Sequence, residues 1–196
     1  KEVYATTGTR LQVRVFGGFD FAPEDLDRPD FAPLGYSKGV PMGGDLMPAS
    51  AGRKPAFLVR AARDPDGANL DRVQIIKGWL DADGNTREQI YNVALSDGPS
   101  INTDGRGLAA VGNTVDVPGA TYSNSIGDPY LQAYWKDPDF DPARHAFYYV
   151  RVIEIPTPRW PVYDAMRLGT PLPKGLPTSI QERAYTSPIW YTPGPG

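Results

Sequence analysis

The stretch that most limits how this chain can fold is His145-Ala146-Phe147-Tyr148-Tyr149-Val150-Arg151-Val152-Ile153-Glu154-Ile155. It is the longest β-like run in the sequence. Aromatic and β-branched residues dominate it, and Pro142 and Pro156 bound it. Such side chains suit a pleated surface and lose rotamer freedom in a helix. One alternate set is Ala146, Tyr148, Val150 and Val152; the other is Phe147, Tyr149, Arg151 and Ile153. Both sets are largely apolar, which predicts a central strand covered on both faces.

The remaining segments supply partners for that strand. Glu2–Gly8 is a short β-like piece closed by glycine. From Arg10 to Phe16, Leu11, Val13 and Val15 alternate with Gln12 and Arg14, the pattern of a half-buried strand. Residues 19–54 show little periodicity and read as a long ordered loop that includes the turn Gly39–Gly44. After Pro55, Phe57, Val59 and Ala61 alternate with Leu58 and Arg60. Val73–Leu80 is a strand, and Asp81-Ala82-Asp83-Gly84-Asn85 is a hairpin signal. The return strand carries Tyr91, Val93 and Leu95 on one face. Residues 97–128 are polar and Gly-rich, with one short β candidate at Thr114–Val117. Leu131, Ala133 and Trp135 then alternate with Tyr130, Gln132 and Tyr134.

Past Ile155 the texture changes, because nine of the 21 prolines lie between Pro156 and Pro195. Proline cannot donate to a β ladder, so this segment is expected to wrap extended over a surface. Pro161–Leu168 has proline in its first turn and Gly169 just past its end, which predicts a short helix. Ser179-x-x-Glu182 reads as a capping box for a single turn. Arg183–Tyr191 is a last strand broken by Pro188, expected at an edge or with a bulge.

These elements predict an all-β fold: an antiparallel β-sandwich of roughly seven to nine strands with long Pro/Gly-rich loops and little helix. The pattern Tyr148-x-Val150-Arg151-Val152 resembles the penultimate strand of immunoglobulin-like sandwiches, where a tyrosine ties down a corner. The expected core is Val13, Val15, Phe57, Val59, Val73, Ile75, Tyr91, Val93, Tyr148, Val150 and Val152.

Composition removes several function classes. The charge is near balance, with 20 basic and 23 acidic residues, which argues against a nucleic-acid or anionic-membrane partner. No apolar run is long enough to span a membrane. No signal peptide is visible, and a chain that starts at Lys1 is expected to lack its natural N-terminus. The absence of cysteine excludes disulfides and thiolate chemistry, and a single histidine excludes a multi-His metal site within the chain.

The motifs that remain are weak. His145 has no nucleophile elbow to serve. Asp137, Asp139 and Asp141 have the spacing of a calcium loop, but Pro142 stands where its glycine belongs and Tyr148 where its bidentate Glu belongs. They read as a Pro-stiffened acidic turn, and Asp81, Asp83 and Asn85 as a hairpin tip. Gly105-Arg106-Gly107-Leu108-Ala109-Ala110 matches a dinucleotide fingerprint but has no strand before it and no helix after it. The Gly39–Gly44 turn has no lysine and is no phosphate loop. Tyr130, Tyr134 and Trp135 are candidates for stacking on sugar rings, against the blander reading as core or interface residues.

Four segments carry a family resemblance: Val3–Gly8, Gly39–Leu46, Asp137–Pro156 and Gln181–Tyr191. Together they resemble the C-terminal part of a bacterial family defined only as a domain of unknown function. That family is similar to the PHP (polymerase and histidinol phosphatase) metal-dependent hydrolases. The resemblance implies that residues 1–9 are the remnant of the last strand of an N-terminal catalytic barrel. Residues 10–196 would be the C-terminal β domain, with its Pro-rich wrapping segment at 156–196. The divalent metal ions and catalytic residues belong to the absent barrel, and no catalytic residue, metal ligand or cofactor is carried over to this chain.

The implied function is an accessory domain that supports or rims the barrel of a metal-dependent hydrolase, with phosphoesters as the implied substrate class. Thr7 and Arg10 would sit near the substrate rim. The implied partners are the barrel itself and, through exposed edges, a second copy of the chain. An exported or periplasmic location is favoured over a cytoplasmic one. The alternative is a free-standing binding module, for example for carbohydrate, using Tyr130, Tyr134 and Trp135.

Overall fold

The computed structural model describes residues 1–48, 52–97 and 111–194. In chain order the strands are β1 (Tyr4–Thr6), β2 (Gln12–Gly18), β3 (Val40–Pro41), β4 (Asp45–Leu46), β5 (Ala56–Ala62), β6 (Leu70–Leu80), β7 (Thr86–Leu95), β8 (Tyr130–Lys136), β9 (Ala146–Glu154), β10 (Thr157–Pro158), β11 (Ser179–Ile180), β12 (Arg183–Thr186) and β13 (Ile189–Tyr191). Two helices, α1 (Phe31–Lys38) and α2 (Trp160–Leu168), and a 3-10 turn at Pro23–Asp27 complete the described chain.

The apolar run at 145–155 becomes β9, and it is central. One of its edges pairs with β6; the other takes β13 along its first half and β12 along its second. With β1 beside β12, β4 beside β13 and β7 beside β6, these strands make a seven-stranded sheet. A four-stranded sheet, β3-β2-β5-β8, packs against it, and β10 and β11 form a separate ladder. The arrangement is sandwich-like and mostly antiparallel, with no closed barrel among the described residues. One pair, β4 with β13, is parallel.

Alternation decides which side chains fill the gap between the layers. Leu11, Val13 and Val15, Phe57, Val59 and Ala61, and Leu131 and Ala133 come from the smaller sheet. Val73 and Ile75, Ala94, Tyr148, Val150 and Val152, and Ala184, Ile189 and Tyr191 meet them from the larger. Each such large side chain contributes about 1.5–3 kcal/mol by leaving water. Val93 departs from the expected core. The β6–β7 register shifts between Val73 and Gln74, so Val73 faces Ala94 and Gln74 faces Asn92. Val93 is the extra residue of that bulge, and Ala94 takes the buried position instead.

Residues 19–54 are not the loop that their poor periodicity suggests. Phe21, Phe31 and Leu34 pack on Phe16, Ala56 and Leu58, a second core on the far face of the smaller sheet. α1 forms despite Pro33 and Gly35. Pro33 lies in its first turn, where no intrahelical N–H is lost. A Cβ on Gly35 would stand 2.4 Å from the Phe16 ring, so glycine lets the helix lie against β2.

The second alternate set of β9 is half-buried rather than covered. Its rings shield one another: Phe147 lies 5.4 Å from Trp190, and Tyr149 lies 6.4 Å from both Phe147 and Tyr185. The Pro-rich segment also forms more structure than a wrapping strap. α2 appears as expected, ended by Gly169 at φ 63°. Ser179, read as a helix cap, instead pairs with Pro158 in the β10–β11 ladder. Pro188 falls in the gap between β12 and β13, so both pieces pair with β9 in the sheet interior and the missing N–H costs no ladder bond. Thr114–Val117 supplies only an isolated bridge, Asp116 to Thr121.

β1 is an edge strand. It pairs with β12 in register Tyr4↔Thr186, while Val3 and Tyr4 remain 63% and 40% exposed. Its contribution is mainly backbone hydrogen bonds, each worth about 0.5–1.5 kcal/mol net. Deleting residues 1–8 should therefore lower the melting temperature only modestly, by about 2–4 °C for each kcal/mol lost in a chain of this size. A fall beyond about 8 °C would show that β1 carries packing that its exposure does not suggest.

Candidate functional site

β1 belongs to the larger sheet and β2 to the smaller, so residues 7–11 cross between layers at one end of the sandwich. Gly8, at φ 134°, makes the crossing. Polar side chains gather there because strand ends deliver them. β9 ends at Glu154, β12 begins just after Glu182, and the turn after β5 carries Asp64 and Asp66.

Thr7 donates its hydroxyl to the Glu182 carboxylate and accepts the Arg183 N–H at 3.0 Å. Thr9 donates to Glu154 Oε1 at 2.5 Å. Arg10 donates Nε and Nη2 to the two oxygens of Asp64, at 3.0 and 3.1 Å, and Nη2 also to Asp66 at 2.6 Å. The Arg10 backbone N–H adds a third bond to Asp64 at 2.9 Å.

Thr7 and Arg10 thus come together in one turn. Arg10 is exposed, but acids of its own chain already occupy its Nε and Nη2, so an anion taken up there would have to displace them. The guanidinium holds the Asp64 carboxyl down to about 2. Glu154 behaves oppositely. It is 2% exposed, and burial pushes its carboxyl up to about 7; Glu182 and Asp64 add to the rise, and the Thr9 hydrogen bond opposes it. A carboxyl in that range can take or give a proton near neutrality. Glu154 was missed in the sequence, although it falls in the same alternate set as Tyr148, Val150 and Val152, where a carboxylate has no water.

Tyr130, Tyr134 and Trp135 do not form one platform. Trp135 turns into the core, 4.8 Å from Tyr91 and 5.7 Å from Phe57. Tyr134 points to the opposite face of β8, packs against the second core and donates to the Phe21 carbonyl. Tyr130 is exposed at the start of the strand. His145 is exposed at the entrance of β9.

The aspartate series is a turn. Asp137 is buried against Lys77, Asp139 accepts from Tyr91, and Asp141 pairs with Arg144. At the hairpin tip, Asp81 accepts from the N–H groups of Asp83 and Asn85 and from Arg87. Gly105–Ala110 lies outside the described residues. Among the described residues no group of three or more His, Cys, Asp or Glu side chains is placed to hold a metal ion. No described helix is long and apolar enough to cross a membrane.

The raised Glu154 carboxyl has a definite sign in the stability curve. The folded state holds this proton more tightly than the unfolded state does. Its contribution is complete below the unfolded value of 4.5 and is lost as pH rises through about 7. Glu154→Gln removes that loss. Relative to wild type, the variant should gain stability between about pH 5 and about pH 8, on the order of 1–3 kcal/mol. Thermal melts across that range would show the two curves diverging upward with pH; parallel curves would mean that Glu154 is not buried as described.

A family model for a protein of unknown function (DUF3604) matches residues 1–193. No curated protein and no solved structure gives a match. The match spans both sheets, the crossing turn and all but the last three residues, and the chain belongs to the DUF3604 family of proteins of unknown function.

Proposed function

We propose that this chain is the C-terminal β domain of a larger metal-dependent hydrolase similar to the PHP enzymes, in which it supports or rims an N-terminal catalytic barrel. The observation that carries this reading is the state of β1. Among the described residues it pairs with β12 alone, so one row of its backbone N–H and C=O groups remains open beside exposed Val3 and Tyr4. An open edge of this kind is a template for another strand. A neighbouring barrel strand would fill it, as the resemblance of the four segments to a barrel-bearing family suggests.

The residues described here do not suit a catalytic metal, so any metal chemistry belongs to the barrel. The domain's own residues have a different task. Thr7, Thr9 and Arg10 are tied to Glu182, Glu154 and Asp64, which fixes the direction in which β1 meets a neighbour. Arg10, exposed at the crossing, is the group placed to reach an anionic substrate at the barrel rim, by exchanging Asp66 for it.

The test compares the chain alone with the protein encoded together with its natural upstream sequence. Hydrolysis of p-nitrophenyl phosphate and bis-p-nitrophenyl phosphate is measured with and without manganese, zinc and a chelator. The longer protein should hydrolyse at least one of them in a metal-dependent way, and the isolated chain neither. Arg10→Ala in the longer protein should lower kcat/KM by about tenfold, equivalent to about 1.4 kcal/mol. An upstream sequence without a His- and Asp-rich barrel, or a longer protein with no metal-dependent hydrolysis, would overturn the reading.

A further inference from the structure

A cleft of about 490 Å³ opens where β9 begins, between the β6–β7 hairpin and the end of β13. That size falls within the range of ligand sites, about 300–1,000 Å³. Strand register brings its walls together: Gly78 faces Phe147, and Phe147 faces Trp190. A Cβ at position 78 would lie 2.2 Å from the Phe147 ring, so glycine there lets the ring settle flat across β6. Trp190 stands 5.4 Å from Phe147 and keeps 46% of its surface exposed. An indole left open on a framework of paired strands is a rigid apolar platform.

The rim supplies the polar half. Thr86, Glu88, His145 and Thr192 border the cleft. Among the described residues, none of these four side chains makes a hydrogen bond within the chain. A purely apolar occupant would strip water from them without return. Arg87 also lines the cleft, but its Nε and Nη2 are held by Asp81 at 2.8 and 2.7 Å. With that cation engaged and Glu88 beside it, the cleft offers no free positive charge to a phosphate or carboxylate.

We infer that this cleft is a binding site for a neutral carbohydrate. A pyranose ring has a C–H face to lie on Trp190, beside the Phe147 ring tilted 51° to it, and an edge of hydroxyls for Glu88, His145 and the two threonines. This site is separate from Tyr130, Tyr134 and Trp135, and the chain's own residues form it whatever lies upstream of Lys1.

The test titrates the chain with neutral hexaoses of glucose, xylose, mannose and N-acetylglucosamine, with a hexauronate as the anionic comparison. Binding is read by calorimetry and tryptophan fluorescence. At least one neutral hexaose should bind, and the hexauronate should bind more weakly. Trp190→Ala should weaken binding by about tenfold or more, Glu88→Gln by a smaller factor, and Tyr130→Ala not at all. Unchanged circular dichroism and melting temperature would show that each variant folds. The inference is overturned if no neutral hexaose binds at millimolar concentration, if Trp190→Ala leaves binding intact in a folded protein, or if Tyr130→Ala abolishes it.

Discussion

A charge pair sealed between the two sheets is what the rest of the molecule is arranged around. Lys77 is 4% exposed and Asp137 is fully buried, and their Nζ and Oδ2 lie 2.7 Å apart. Lys77 comes from β6 in the larger sheet. Asp137 follows β8 in the smaller sheet and bonds the Pro55 carbonyl through its own N–H. Two charges cannot leave water cheaply, so every remaining bond must be made. Tyr148 donates to Asp137 at 2.7 Å, the Asp139 N–H donates to it at 2.9 Å, and Lys77 donates to the Asp139 carbonyl at 2.8 Å. Burial and the Asp137 charge push the Tyr148 hydroxyl well above its ordinary range, so it stays a donor.

This cluster fixes register. A slip of β9 by one residue would send Tyr148 to the outer face and take from Asp137 its hydroxyl donor. With the register fixed, the alternate set of β9 must put Phe147 and Tyr149 outside, and their rings must find cover among themselves and Trp190. The cleft at the start of the strand is what that incomplete cover leaves. At the other end the same alternation carries Glu154 inward, where Thr9 is the group that meets it. The inner clamp and the two candidate sites are therefore consequences of one pattern in one strand.

Local pattern made much of this legible. The strands around Val13, Phe57, Val73, Leu131 and Val150 are written in alternation, the hairpin in Asp81–Asn85, and the second helix in Pro161 and Gly169. What escaped depends on contacts distant in sequence. α1 has no clear apolar stripe and forms because Phe16 receives Gly35. Pro188 suggested an edge, yet it breaks one run into two strands that share β9. The bulge at Val93 inverts the face that simple alternation assigns to Leu95. Lys77 stands in the buried set of Val73 and Ile75, and nothing local marks Asp137 as its partner. In the crossing turn, Thr7 and Arg10 were singled out only as a substrate rim implied by the resemblance, whereas Glu154, Glu182 and Asp64 reach it through the fold.

The measurement that bears most directly on this account is a double-mutant cycle on Lys77 and Asp137 in the intact chain, read by denaturant unfolding. Lys77→Met and Asp137→Leu should each destabilise by about 3–5 kcal/mol, because each strands one buried charge. The double variant should recover most of that loss, giving a coupling of about 2 kcal/mol or more. Single variants that cost less than about 1 kcal/mol, or losses that simply add, would contradict a clamp between the sheets.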